Sequence, residues 1–291
     1  MNDVPMAPNA GTIRRMAEMD LDAGLRLSEA AGWDQRRADW ALFYRANPGG
    51  CFVAEREGQV VGTVTSVDYA GRLAWIAMML VDAECRGRGI GTGLMQAAMR
   101  AVGHCACIKL DATPAGKPMY DRLGFVEEHS VGRFLAAKAP QVAGVAALQP
   151  RPMQDDDVDR VVALDAEAFG IERRVVMDGL RAMAREYAIV LEAKGEIAGF
   201  CLGRHGRRFE HLGPLIATGL ETANALAVAA FANAAGKPIV MDVPHQQGAW
   251  IRWIESLGFR EQRAYTRMYR GQNISANHPA WTFAIAGAEF G

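Results

Sequence analysis

A glycine-rich loop between residues 82 and 93 is the segment of this sequence best suited to chemistry. It contains Arg86-Gly-Arg-Gly-Ile-Gly-Thr92, between an apolar run and a segment with helical periodicity. Glycines let a ligand approach the main chain closely, and the first turn of a helix offers unpaired N–H donors and partial positive charge. Arg86 and Arg88 add cationic donors. The loop therefore predicts a cradle for an anion, best matched by a pyrophosphate.

The spacing argues against two other phosphate-binding motifs. No Gly-Lys-Ser/Thr follows the glycines, so the loop is not a Walker motif. Several predicted strands precede it, whereas a dinucleotide fingerprint follows the first strand of its unit. Asp111 lies 20 residues after Gly91, but acidic residues are common in this sequence. A glycine-rich turn that only caps a helix remains the alternative to an anion site.

The hydrophobic pattern indicates the elements that must position this loop. It predicts helices at 18–31, 34–46, 91–103 and 115–122, and strands at 51–56, 60–68, 73–81, 107–112 and 125–136. Helices before, between and after the strands favour an α/β (α+β) class, with a mixed sheet covered on both faces.

The two halves of the chain follow one plan. Each has a hairpin signal with a central glycine, Gly58 and Gly195, and each has a Leu-Gly-Phe triplet, at 123–125 and 257–259. The glycines are 137 residues apart and the triplets 134 apart, which favours a tandem duplication. We expect an N-terminal domain at 1–140, a proline-containing linker at 141–152 and a C-terminal domain at 153–291.

Residues 81–94 resemble the acetyl-CoA loop of the GNAT N-acetyltransferase superfamily, with Arg86, Gly89 and Gly91 in its fixed places. Met119-Tyr-Asp-Arg-Leu-Gly-Phe125 resembles the later Tyr-x-x-x-Gly-Phe signature of that superfamily. The match covers residues 12–136. The second half resembles, more loosely, the C-terminal domain of a bacterial tandem-GNAT subgroup, through 213–217, 241–244, 257–259 and 268–271. The resemblance implies two tandem GNAT-like domains, each a mixed, mostly antiparallel twisted sheet flanked by helices, the second one degenerate.

The resemblance also implies a reaction and its residues. Acetyl would pass from acetyl-CoA, a co-substrate, to a primary amine by direct attack in a ternary complex. A main-chain N–H near Leu80 or Val81 would stabilise the oxyanion, and Tyr120 would protonate the leaving sulfur. Simple packing of Tyr120 against the sheet is the alternative. The backbone of Met79, Leu80 and Val81 would bind the pantetheine, and that of Arg86, Gly87, Arg88, Gly89, Ile90, Gly91 and Thr92 would hold the pyrophosphate.

Two places depart from the family pattern. Thr113 stands where the family often has an asparagine that contacts the cofactor, so that contact is in doubt. The run 75–81 is entirely apolar, although the family often has a glutamate there, so we find no general base. Asp82 and Glu84 are better read as solvated loop residues. A non-catalytic acyl-CoA sensor is therefore the alternative to an enzyme.

The second half lacks the Arg-x-x-Gly-x-Gly pattern before its corresponding helix, and Pro214 removes a donor there. We therefore predict that only the first half binds acetyl-CoA. Residues 204–208 are basic and are better explained by a solvated hairpin than by nucleic-acid binding, with contact to an anionic acceptor group as the alternative. Asp242 and His245 are expected at a strand tip, in a turn or against the acceptor. Four aromatic residues are expected in the core or, alternatively, in an acceptor pocket: Trp33, Trp40, Tyr44 and Trp75.

Composition limits the partners. The 291 residues carry 32 basic and 33 acidic side chains, so the overall charge does not indicate nucleic acid or an anionic membrane as a partner. The resemblance implies a primary amine as the acceptor; we expect a small-molecule amine, with a protein lysine or N-terminus as the alternative. Five cysteines without framework spacing indicate reduced thiols and a cytoplasmic protein. Cys105, Cys107 and His104 lack a second ligand pair, so we expect no metal. A homodimer is compatible with the sequence.

Overall fold

The computed structural model describes residues 11–142 and 148–291. The helices are α1 (Leu21–Ala30), α2 (Arg37–Ala46), α3 (Ile90–Ala101), α4 (Lys117–Arg122), α5 (Val158–Phe169), α6 (Arg174–Met183), α7 (Leu220–Asn233) and α8 (Gly248–Ser256). The strands are β1 (Thr12–Arg15), β2 (Phe52–Arg56), β3 (Gln59–Tyr69), β4 (Leu73–Val81), β5 (Cys107–Ala112), β6 (Val126–Ala136), β7 (Arg151–Pro152), β8 (Ile189–Ala193), β9 (Glu196–His205), β10 (Glu210–Ala217), β11 (Ile239–Pro244), β12 (Arg260–Gly271) and β13 (Thr282–Ala284).

These strands form one sheet, flanked by helices. Its order is β1-β2-β3-β4-β5-β12-β6-β11-β10-β9-β8-β7, with β13 paired to β10. The pairings of β4 with β5 and of β10 with β11 are parallel, and the other pairings between described strands are antiparallel. The predicted α/β class with a mixed, mostly antiparallel sheet is confirmed. Part of the expected linker, residues 143–147, lies outside the described residues.

The two halves exchange their last long strands. Strand β12 of the second half lies between β5 and β6 of the first, with Thr266 opposite Ala112 and Tyr265 opposite Val131. Strand β6 in turn pairs with β11, with Ile239 opposite Ala136. The sheets of the two halves are thereby joined into one, which the duplicated pattern did not predict.

A shared hydrophobic core lies between the halves. It combines Trp40, Phe43 and Trp75 of the first half with Leu180 and Phe290 of the second, all fully buried. Trp40 and Trp75 therefore serve in packing, and Tyr44 packs partly buried against the same cluster. On the other face of the first half, α3 buries Leu94, Met95 and Ala98 in a separate cluster, because its apolar residues recur at helical spacing. No helix in the described ranges is long and apolar enough to cross a membrane.

Candidate active site

The loop before α3 presents its main chain outward. Gly87 (φ 74°) and Gly89 (φ 81°) are left-handed, and a Cβ at either position would meet open space. Gly89 caps α3, whose buried Ile90 fixes the start of the helix in the core. In the described structure, the six backbone N–H groups from Gly87 to Thr92 donate to no protein acceptor. This row of free donors at a helix N-terminus has the geometry of the anion cradle that the glycine spacing predicts.

The two loop arginines keep their charges unpaired. Arg86 Nε donates to the Val81 carbonyl oxygen at 3.1 Å, and Arg88 Nη2 to that of Glu84 at 3.5 Å. Neither guanidinium forms an ion pair within the described residues. Asp82 accepts from the Glu84 N–H at 3.1 Å and shapes the turn before the cradle, as expected for loop residues.

Strand β4 separates from β5 beside this loop. The two pair only over Leu73–Trp75, so the β4 edge beyond Trp75 has no strand partner in the described structure. A bulge at Met78 (φ 49°) interrupts the register with β3, and the Thr63 hydroxyl donates to the Met78 carbonyl oxygen at 2.9 Å. The gap exposes main-chain groups that an extended ligand could pair with, as an added strand would.

A cleft of about 660 Å³ runs through this gap, which is a volume suited to a ligand of cofactor size. It brings together the cradle, β4 and Tyr120 on α4. Arg88 is the exception among the predicted site residues, since its exposed side chain lies outside the cleft lining. Those that line it are Met79, Leu80, Val81, Arg86, Gly87, Gly89, Ile90, Gly91, Thr92 and Tyr120.

Tyr120 is a buried phenol facing the cleft. It packs edge-on against Phe125, and burial raises its pKa to about 12. The hydroxyl therefore stays protonated at neutral pH and can donate a hydrogen bond. Thr113 also lines the cleft, and its hydroxyl accepts from the Gly116 N–H at 3.2 Å.

The far end of the cleft is built by residues that the sequence analysis did not identify. They come from the turn after α1, from β6, from β12 and from the segment after β13, so only the exchanged fold brings them together. Trp33, for which packing was the favoured expectation, joins them. The set is Trp33, Gln35, Arg133, Arg263, Tyr265 and Glu289.

Glu289 is the carboxylate at this end. The Gln35 side-chain amide and Arg204 Nη2 (3.0 Å) both donate to its Oε1. Burial is the largest influence and raises its pKa, but Arg204, His211 and Arg133 together outweigh burial and lower the pKa to about 2. Glu289 is therefore an anion at neutral pH. No local motif marks this glutamate, because its neighbours lie far away in the chain.

Two other charged residues of the cleft are neutralised by the exchanged strands. Arg133 donates twice to Asp242, at 2.7 Å in both bonds, and Arg267 donates twice to Asp111, at 2.9 Å in both. Asp242 is therefore a buried ion-pair partner rather than a residue of a strand tip facing the acceptor. Asp111 is occupied in the same way.

The basic segment 204–208 is only partly the solvated hairpin that we expected. Arg204 is buried and donates to Asp39 at 2.8 Å, so that expectation is wrong for it. Arg207 and Arg208 are exposed and pair with Glu29 and Asp34 of the first half. The segment therefore joins the two halves.

A cluster outside the cleft has the residue types of a metal site. Ligand atoms of Asp68, His104 and Cys105 lie within 4.8 Å of one another. They already satisfy each other, since Asp68 accepts from His104 at 2.7 Å and from the Cys105 thiol at 3.6 Å. The cluster shares His104 and Cys105 with the three possible ligands weighed in the sequence analysis, but Cys107 is not part of it.

The corresponding cleft of the second half is occupied by the chain itself. Strands β10 and β11 pair only at 210–211 and then diverge. Into this gap comes β13, which places Ala284 opposite Leu215 and Thr282 opposite Ile216, and the Ile285 N–H donates to the Asp242 carbonyl oxygen at 2.9 Å. The edge of β10 that corresponds to the open edge of β4 is therefore covered by β13.

Comparison with known proteins agrees with this geometry. A model of the Acetyltransferase (GNAT) family matches residues 17–125, and a model of an Acetyltransferase (GNAT) domain matches residues 161–283. The chain belongs to the GNAT acetyltransferase family. Its two GNAT domains stand in tandem, as the resemblance implied.

Individual relatives of this GNAT protein are distant. A holothin acyltransferase of Pseudoalteromonas sp. (strain SANK 73390) is 25% identical over 84% of this chain and 82% of its own. An uncharacterised N-acetyltransferase of Bacillus subtilis (strain 168) is 23% identical over 85% and 87%. A crystal structure of a Pyrococcus horikoshii protein superposes with a TM-score of 0.81 at 23% identity, covering 99% and 98% of the two chains. The Pyrococcus horikoshii protein shares the fold, and the names of the two sequence relatives point to acyl transfer.

Proposed function

We propose that this GNAT protein transfers acetyl from acetyl-CoA to a primary amine of a small molecule in a ternary complex. The observation that carries the proposal is the row of six free amides, Gly87 to Thr92, at one end of a cleft whose other end holds a buried carboxylate. The first half binds the co-substrate, and β13 keeps the second half from doing so.

The residues of the first half fit a CoA thioester. The free amides would hold the diphosphate, because no protein acceptor occupies them, and Arg86, whose Nε donates to Val81, would add its unpaired charge. The open edge of β4 at Met79–Val81 would pair with the pantetheine amides. Acetyl-CoA supplies an activated acyl group and a good leaving group.

Strand β4 also offers an oxyanion donor. Successive N–H groups of a strand point to opposite edges, so one of the consecutive N–H groups of Leu80 and Val81 faces the gap toward β5. A main-chain donor fixed there would stabilise the charge that develops on the thioester oxygen when the amine attacks.

Tyr120 assists departure of the thiolate. As the nitrogen–carbon bond forms and the carbon–sulfur bond breaks, its hydroxyl donates a hydrogen bond to the sulfur. A phenol with a pKa of about 12 is a weaker acid than a thiol, whose pKa is about 8.5, so donation rather than complete proton transfer is the favoured role. The proton lost by the attacking amine leaves through water, since β4 carries no carboxylate and Glu289, with a pKa of about 2, is too weak a base to keep it.

The domain limits 1–140 and 153–291, with a linker at 141–152, complete the proposal. Each family model lies within one of these ranges. The first domain carries the co-substrate site and the second supplies β12 and the segment with Glu289 to it.

A turnover assay tests the proposal. The purified chain is mixed with acetyl-CoA and a panel of primary amines, and released CoA is measured with a thiol reagent. We expect release that depends on the amine for at least one chemical class. Tight binding of acetyl-CoA without turnover of any amine would contradict an enzyme and favour the non-catalytic sensor.

A further inference from the structure

The acceptor end of the cleft carries one unbalanced charge of each sign. Glu289 shares its nearest cation, Arg204, with a second carboxylate, Asp39. His211 lies 2.9 Å from Arg204 Nη2, and burial and the Arg204 charge lower its pKa, so the imidazole is neutral. With one guanidinium between two carboxylates, this buried group keeps a net negative charge. Residual charge in a buried site calls for a counter-charge.

The excess negative charge has a free acceptor atom. Glu289 is 5% exposed, and its Oε1 takes both donors described above. Its Oε2 has no hydrogen-bond partner in the described structure, and neither has Oε1 of the adjacent Gln35. Both residues line the cleft, and their unpaired oxygens are acceptors of the kind that an ammonium group, with its three N–H donors, requires.

The positive charge comes from Arg263 of β12. It forms no ion pair with any described residue, and its buried Nε has no acceptor. Its guanidinium lies over the Tyr265 ring, 5.3 Å from the centroid, which holds the group without neutralising it. The other cleft arginine at this end, Arg133, is neutralised by Asp242. Arg263 is thus the cation available to an anion of the acceptor.

We propose that the acceptor is a zwitterion: an amine bound by Glu289 and Gln35, in a molecule that also carries a carboxylate or similar anion bound by Arg263. This deepens the proposed function and depends on it. An amino acid or an amino-acid-like metabolite has the required chemistry. A neutral amine would leave Arg263 without a counter-charge, which disfavours its binding.

Matched acceptors test the charge requirement. Each set contains an amino acid, its carboxamide and the amine without the carboxyl group, with α-, β- and γ-amino acids included to vary the spacing. We expect kcat/KM for the best amino acid to exceed that of its two neutral analogues by at least about tenfold. Equal or better turnover of the neutral amines would overturn the inference.

Variants of Arg263 and Glu289 test which residue binds each charged group of the acceptor. Arg263→Met should bring the preference for the acid over its carboxamide close to one, whereas Arg270→Met, an exposed arginine of the same strand, should keep it. Glu289→Gln should raise KM for the amino acid at least about tenfold while the affinity for acetyl-CoA, measured by calorimetry, stays unchanged. An unchanged preference in Arg263→Met contradicts the inference whether or not the Glu289 variant folds.

The two failures are distinguishable. If acetyl-CoA binds and neutral amines react as well as amino acids, only the zwitterion is wrong. If acetyl-CoA does not bind, or no amine of any kind reacts, the proposed function is wrong. The zwitterionic acceptor inferred from it is then wrong as well.

Discussion

At Tyr120 and Glu289, burial acts on two ionisable groups with opposite results. The phenol has no cation beside it, so burial raises its pKa to about 12 and it stays neutral. The carboxylate is buried as well, but Arg204 at 3.0 Å, together with His211 and Arg133, outweighs burial and lowers its pKa to about 2, so it stays charged. Neither group changes protonation between pH 5 and 10. The pH dependence of the reaction should therefore come from the acceptor amine, whose neutral form attacks.

Tyr120→Phe tests the proposed hydrogen bond to sulfur. We expect kcat to fall about 10- to 100-fold with little change in KM for acetyl-CoA, because the ring still packs and only the donor is lost. Tyr44→Phe, a half-buried tyrosine outside the cleft, is the control and should keep wild-type kcat. In the wild type, kcat/KM should rise with pH as the acceptor amine loses its proton, without a fall up to pH 10. An alkaline limb near pH 8 that vanishes in Tyr120→Phe would show that Tyr120 titrates there, against this account.

The residues that the sequence could reveal are those whose function depends on local spacing. Arg86, Gly89 and Gly91 lie within one turn, so their pattern alone predicts a cradle. Gln35, Arg263 and Glu289 meet only through long-range strand pairing, and each looks like an ordinary polar residue in its own segment. The acceptor site was therefore beyond reach from one sequence.

At the scale of elements, the two halves differ in what occupies the gap between their diverging parallel strands. Strands β4 and β5 diverge after Trp75 and leave the cleft open, whereas β10 and β11 diverge after 210–211 and receive β13. Gly213 marks the contact, since a Cβ there would lie 2.1 Å from the Ile285 carbonyl oxygen. One CoA per chain should therefore bind.

Element boundaries were largely predictable, and strand order was not. Alternating and apolar runs predicted strands at 60–68, 73–81 and 107–112, which form as β3, β4 and β5. The pattern of β12 buries the same face whether it pairs within its own half or with β5 and β6. Periodicity alone could not distinguish these arrangements.

For the whole molecule, strand exchange makes the halves depend on each other. Two buried ion pairs cross between them, Arg133 with Asp242 and Arg267 with Asp111, and the shared core includes the fully buried Phe290. Removing one half would expose the unpaired edges of β5 and β6 and half of a core. The structure is thus expected to unfold as one unit.

Asp242→Asn tests this coupling. It leaves the buried Arg133 without its anion, so we expect the free energy of unfolding to fall by about 3–5 kcal/mol. Lys117→Met, which breaks an exposed cluster with Asp121 and Glu127, should cost less than about 1 kcal/mol. Urea titrations followed by tryptophan fluorescence and circular dichroism should give one coincident transition for all three proteins. Two separate transitions, with only one shifted by Asp242→Asn, would contradict a single cooperative unit.

Calorimetric titration with acetyl-CoA tests the central claim most directly, because the amides of Gly87–Thr92 are proposed to hold its diphosphate. Gly89→Glu places an anion among those donors, and Gly236→Glu is the matched control, since that glycine has nearly the same φ (82°) and equally open space in the second half. We predict one acetyl-CoA per wild-type chain, the same in Gly236→Glu, and affinity at least about 100-fold weaker in Gly89→Glu. Wild-type affinity in Gly89→Glu, or two acetyl-CoA molecules per chain, would contradict the account.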